Sequence, residues 1–139
     1  MDSSQASIWQ SHSMKFLEMA FRTDRQERLR QADGYGKKSG DCGDTVEFFL
    51  QLRDGRITHL AYMLDGCIHT NACANTLITL AEGKQLEHAW EIKPEDVAAY
   101  LETLPDDHFH CAELAIGAFY LALADTRRTQ QAPWMKAYR

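Results

Sequence analysis

Three cysteines in this chain stand where a thiol contributes little to packing. Cys42 lies in the polar glycine turn Gly40-Asp41-Cys42-Gly43-Asp44, with a carboxylate two residues on and a strand pattern starting at once. Cys67 follows Gly66, and Cys111 follows His110, each at the apparent start of a helix. Unpaired N–H groups and the positive end of the helix dipole favour a thiolate there, the form that binds metal or attacks sulfur. His110 beside Cys111 is a natural nitrogen ligand. Thiolates with an imidazole suit zinc or an iron–sulfur cluster rather than calcium or magnesium. The expectation is that the fold brings Cys42, Cys67, Cys111 and His110 to one point, open to iron, sulfur or zinc.

Spacing excludes simpler explanations. No close Cys-x₂₋₄-Cys pair marks a zinc ribbon or knuckle, and there is no Cys-x-x-Cys redox pair. Any one of these cysteines taken alone reads as a buried packing residue; their settings are what change that reading. Cys73, inside the helix after Cys67, does read as a packing residue, with spare sulfur acceptor as its alternative role. His69 and His108 read as exposed loop or first-turn residues, and His12, His59 and His88 carry no specific signal.

The elements that must position these groups follow from periodicity. Residues 6–31 read as a helix, docked through Met14, Leu17 and Phe21, with the arginines between Arg22 and Arg30 on a solvated face. The glycine-rich stretch 32–40 reads as a loop or a short irregular edge strand. From Asp44 to Arg53, Val46, Phe48, Leu50 and Leu52 alternate with Thr45, Glu47, Gln51 and Arg53, and Phe49 implies partial cover on the second face. Asp54-Gly55 supplies the hairpin turn and residues 56–65 the returning strand. A helix over 69–82 closes at Gly83, and a short helical piece covers 85–90. Pro94 with Glu95 and Asp96 opens another helix, broken by Pro105-Asp106-Asp107. The last helix runs over 108–126 with Cys111, Leu114, Ala115, Ala118, Leu121 and Ala122 on one face. The tail from Gln130 reads as frayed, with Trp134 and Tyr138 able to dock. Strands first and helices after predict an α+β fold, a small antiparallel sheet with helices packed on one face between long N-terminal and C-terminal helices.

Composition narrows the function. At 139 residues with 45% hydrophobic and 25% charged residues, the chain suits one globular domain with a core of its own. A net charge of −5 argues against nucleic acid, whose binding rests on basic residues. No apolar run approaches a membrane span of about 20 residues, and Met1-Asp2-Ser3-Ser4-Gln5 has no signal-peptide character. The expected compartment is the cytoplasm, where four cysteines are free, metal-bound or catalytic rather than paired.

With these residues together, the chain resembles the NifU/IscU-type iron–sulfur cluster scaffold domain. The likeness runs from Gly36 to Arg128: Cys42-Gly43-Asp44 opening a strand, Asp54-Gly55, Gly66-Cys67, Ala72-Cys73-Ala74-Asn75, Gly83-Lys84, and Leu104-Pro105 leading to His110-Cys111. It implies an IscU/SufE-like fold for the scaffold unit over 32–128; with the helical segment over 1–31 and the tail over 129–139, the chain reads as a single domain overall. It also implies that iron and sulfide are assembled into a transient cluster, usually [2Fe–2S], and passed to apo-proteins. Sulfur would arrive as persulfide from a cysteine desulfurase. By the same resemblance Cys42, Cys67 and Cys111 are cluster ligands and persulfide acceptors, Asp44 keeps the site labile, and His110 is an alternate ligand. Zinc at the same residues is also implied.

Departures from the family pattern carry information. Cys73 and Asn75 stand where serines are usual, and the Asn-Pro-Arg-Asn stretch of the N-terminal helix is missing. Where the family commonly has Leu-Pro-Pro-Val-Lys, gripped by a dedicated Hsp70-type chaperone, this chain has Leu104-Pro105-Asp106-Asp107-His108. Losing a proline and the lysine while gaining two negative charges argues against that chaperone as a partner. The alternative function is a zinc-bound sulfur acceptor working with a desulfurase. Zinc-type relatives carry an insertion between the second and third cysteines, for which this chain leaves no room. A third reading is an interaction module with idle cysteines.

Overall fold

A computed structural model describes residues 11–138. Three antiparallel strands, β1 (Gly34–Ser39), β2 (Thr45–Arg53) and β3 (Arg56–Asp65), lie in the order β1-β2-β3. The alternation in β2 is realised as expected. Val46, Phe48 and Leu50 point inward and are fully buried, while Phe49 is buried on the opposite face against Ala32 and Ala61. Asp54 and Gly55, with φ of 55° and 79°, form the tight turn whose twist matches the strands. The glycine-rich stretch forms β1, paired in register from Gly34↔Leu50 to Ser39↔Thr45.

Helices cover the inner face. They are α1 (Met14–Phe21), α2 (Ile68–Ala81), the single turn α3 (Leu86–Ala89), α4 (Pro94–Leu101) and the long α5 (Phe109–Gln131). Gly83, at φ 89°, follows α2. Pro94 opens α4, and the Asp96 carboxylate accepts the Lys93 backbone N–H at 2.9 Å. Helix α5 crosses β1 and β2 and also packs on α2 and α4. Phe119 of α5 meets Phe48 of β2 edge-on at 6.1 Å. The approach of α5 to β1 is close enough to need glycine. A Cβ at Gly36 would stand 2.3 Å from the Ala118 carbonyl oxygen and 2.4 Å from the Ala122 nitrogen.

Several expectations are corrected. The N-terminal helix does not run to residue 31; it ends at Phe21, and the part of the expectation over residues 6–10 lies outside the described residues. Beyond Phe21 the chain is extended and lies beside β3. The Tyr62 N–H donates to the Arg25 carbonyl (3.0 Å) and the Glu27 N–H to the Tyr62 carbonyl (3.2 Å). Backbone groups on the edge of β3 need partners, and this segment supplies them at the expense of helix. Arg25 accordingly lies half-buried in a bidentate pair with Glu82, both contacts 2.9 Å, instead of on a solvated helix face. The buried face of α1 is Phe16, Leu17, Met19 and Ala20, whereas Met14 and Phe21 are exposed. Asn71 and Asn75 of α2 set this rotation, because their amides donate to the Ala20 and Met19 carbonyls (2.8 and 2.9 Å) at the end of α1.

At the other end, α5 continues past Thr126 to Gln131, and Leu121 faces outward. The tail is not frayed: Pro133–Tyr138 form a 3₁₀ turn, and Lys136 pairs with Asp33 at 2.9 Å. Trp134 and Tyr138 stay exposed and meet each other edge-on. Among the described residues, no helix is long and apolar enough to cross a membrane.

Candidate metal and sulfur site

The site forms where the start of β2 meets the N-termini of α2 and α5. Gly43, at φ 90°, turns the chain out of the β1–β2 loop, and the Gly40 N–H donates to the Asp44 carbonyl at 2.9 Å. That places Asp44 against the first turn of α2. Its Oδ2 accepts the Thr70 hydroxyl at 2.6 Å and the Cys67 backbone N–H at 3.3 Å. Gly66 makes the approach possible, because a Cβ there would stand 2.6 Å from the Asp44 carboxylate. Burial raises the Asp44 pKa, but hydrogen bonds from Thr70 and the Cys67 N–H outweigh it. The net effect holds the carboxyl below its usual range.

Cys67 is the N-cap residue of α2, with an exposed side chain. Its Sγ lies 3.6 Å from Thr70 Oγ1 and 3.9 Å from His69 Nδ1. Cys111, in the first turn of α5, is fully buried. Burial pushes its thiol up to about 12; the Thr70 hydrogen bond opposes this, while the neighbouring Cys67 and Asp44 charges add to it. One ligand atom each from Asp44, Cys67 and Cys111 lies within 4.8 Å of the others. Two thiols and a carboxylate at that separation can close on one tetrahedral ion or on one edge of a small cluster.

The other expected site residues flank this group. Cys42 is exposed on the turn, two residues before Asp44, and stands outside the converging three. His110 is exposed, with Nε2 3.7 Å from the Cys111 sulfur. Cys73 is fully buried, and burial, with Cys111 and Cys67 nearby, pushes its thiol well above the usual range. It packs in the core, as its position within the helix predicts.

Thr70 is the residue that sequence reasoning missed. It bonds Asp44 and touches both sulfurs, and its place three residues after the N-cap Cys67 was the available signal. The histidines also need correction. His69 and His108 are half-buried, not exposed, and their rings lie 3.7 Å apart. His12 stacks on Phe16 at 3.9 Å and stands edge-on to His69 at 6.3 Å. Burial, with His108 and His12 alongside, lowers the His69 pKa to about 4, so its imidazole is neutral near pH 7. The pairing of Cys67 with His69, and of His108 with His110, was visible in the sequence. Their convergence was not.

Residues 23–132 match the profile of the NifU-like N-terminal domain, and the chain belongs to that family. It is 31% identical over 99 residues to the iron–sulfur cluster assembly scaffold protein IscU 1 of Archaeoglobus fulgidus, a match covering 70% of this chain and 65% of that relative. It is 33% identical over 92 residues to the scaffold protein IscU of Escherichia coli, covering 66% of this chain and 71% of the relative. The fold is also that of the N-terminal part of a NifU-like protein from Brucella abortus. That structure superposes with a TM-score of 0.70 at 18% identity, over 84% of this chain and 94% of the other. The chain thus spans just under two thirds of the length of the archaeal relative it matches.

Proposed function

We propose that this protein is a scaffold on which iron and sulfide are assembled into a labile cluster and passed on to apo-proteins. The observation that carries this reading is the convergence of Asp44 with Cys67 and Cys111 within 4.8 Å. A cluster meant to stay wants four thiolates in a dry shell. A cargo meant to leave is better held by thiolates and one hard oxygen near solvent. In this reading Cys42, Cys67, Cys111 and Asp44 hold the cargo, with His110 as alternate ligand, and Cys42 closes over it from the turn. The cargo is a [2Fe–2S] cluster or its iron precursor, and zinc fits the same donors. Sulfur arrives as persulfide from a cysteine desulfurase in the cytoplasm, and two electrons from an external reductant cleave the S–S bond to release it as sulfide. The sulfurs of Cys42 and Cys67 are open to that partner, whereas Cys111 is covered. The functional unit is residues 32–128, flanked by an N-terminal segment over 1–31 and a tail over 129–139 in a single domain. The acidic loop Asp106-Asp107 gives a dedicated Hsp70-type chaperone no basic grip.

Anaerobic reconstitution with iron and sulfide tests the reading. A visible-absorbing cluster should form, be abolished by alanine at Cys42, Cys67 or Cys111, and survive Cys73→Ala. Loss of the cluster in Cys73→Ala alone would refute the ligand set. A zinc-loaded protein that stimulates the desulfurase and never builds a cluster would instead establish the sulfur-acceptor reading.

A further inference from the structure

A row of imidazoles borders the thiols. The rings of His69 and His108 lie 3.7 Å apart with a 32° tilt. His110 follows at 5.9 Å from His108, and its Nε2 reaches to 3.7 Å from the Cys111 sulfur. The row has support on its inner side, where the fully buried Phe16 lies 5.8 Å from His69 and stacks on His12. Its ring nitrogens are already sorted. His108 Nδ1 is 3.1 Å from the Asp107 carboxylate, and His69 Nδ1 faces the Cys67 sulfur at 3.9 Å. Among the described residues, Nε2 of His69 and Nε2 of His108 have no hydrogen-bond partner. A carboxylate on Nδ1 is the usual support of a metal-binding histidine, since it fixes the tautomer that leaves Nε2 as the donor.

We propose that His69 and His108 form a landing site for a divalent transition-metal ion at the mouth of the thiol pocket. Imidazole selects zinc, iron, copper or nickel over magnesium or calcium. Two nitrogens sharing one tetrahedral ion sit about 3.3 Å apart, given metal–nitrogen bonds of about 2.0–2.1 Å. The rings stand nearly stacked, so both side chains turn about χ1 and χ2 before their Nε2 atoms converge on one ion. The exposed carboxylates of Asp106 and Asp107 make the approach attractive to cations. Two neutral ligands plus water hold an ion more loosely than thiolates do, so the ion passes on to the thiols, with Cys67 beside His69 and Cys111 beside His110. The landing site stands on its own geometry; only its use as the iron entrance rests on the scaffold reading.

The test separates the two. A full-length variant with Cys42→Ser, Cys67→Ser and Cys111→Ser is titrated with Co²⁺ or Zn²⁺ alone, with circular dichroism as the check on folding. It should bind one equivalent of either ion, with the d–d bands of the Co²⁺ form being those of a nitrogen- and oxygen-ligated ion, since d¹⁰ Zn²⁺ has none. Adding His69→Gln and His108→Gln should weaken binding at least tenfold, and His108→Gln alone, at the edge of the fold, should weaken it severalfold. With the cysteines intact, His108→Gln should slow cluster formation at limiting iron without lowering the final yield. The proposal is overturned if the thiol-free variant binds no ion. It is equally overturned if binding survives both histidine changes, which would put the ion on Asp44 and His110. Failure of wild-type protein to build a cluster, with the histidine site still loading metal, would refute the scaffold reading and leave this site standing.

Discussion

The Thr70 hydroxyl donates to Asp44 Oδ2 at 2.6 Å, joining the first turn of α2 to the start of β2 across the mouth of the site. Thr70 is itself fully buried, so this bond holds the carboxylate in place and also satisfies a hydroxyl shut off from water. Thr70→Val keeps the shape and removes the bond. The expected cost is about 1–3 kcal/mol in urea unfolding of the metal-free protein, the range for unpairing a hydrogen bond to a charged group. A cost near zero would mean that the bond does not constrain Asp44.

The same bond gives stability a dependence on acid. The folded pKa of Asp44 lies below the unfolded value of about 3.9. Its contribution is therefore complete above that value and is lost as pH falls through the lower, folded one. In the metal-free protein, Asp44→Asn should flatten the loss of stability below pH 4 and leave the neutral range with the smaller slope change. Thr70→Val should shift the Asp44 titration upward, as read by carboxyl NMR.

Thiol reactivity should split into two classes. Cys42 and Cys67 are exposed, while Cys73 and Cys111 are buried with raised pKa values. With iodoacetamide at pH 7.5, mass spectrometry should find Cys42 and Cys67 alkylated roughly 100-fold faster than the other two, since the thiolate is the reacting form. Because Cys111 starts protonated, zinc loading should release a proton from it. The apparent affinity should rise with pH, measured by calorimetry in buffers of different ionisation enthalpy.

Asp44→Ala should leave cluster assembly possible and lengthen the life of the product, followed by decay of visible absorbance in the presence of a chelator. An unchanged or shorter lifetime would count against Asp44 as the group that keeps the cargo labile.

Gly36→Ala tests the close packing of β1 on α5. The added methyl meets backbone of Ala118 and Ala122, which has no side-chain freedom to yield. A loss of about 1–3 kcal/mol or more is expected in urea unfolding. The cysteine site should still bind zinc under conditions where the variant stays folded.

Local pattern carried most of the elements. The alternation of Val46, Phe48 and Leu50 defined the central strand, Asp54-Gly55 the hairpin, and Gly83 and Pro94 two helix boundaries, because each acts through its own backbone or nearest neighbours. The chemistry-bearing residues were legible for the same reason, since a cysteine in a polar turn or at a helix start is locally out of place. Pattern failed where the deciding partner was distant in sequence. The stretch after Phe21 has helical composition, yet the open edge of β3 drew its backbone into extended pairing at Tyr62. Asn71 and Asn75 chose which side of α1 is buried. Which thiols converge, and that Thr70, His69 and His110 border them, depended on the meeting of β2, α2 and α5. No periodicity records that meeting, because packing of separate elements sets it.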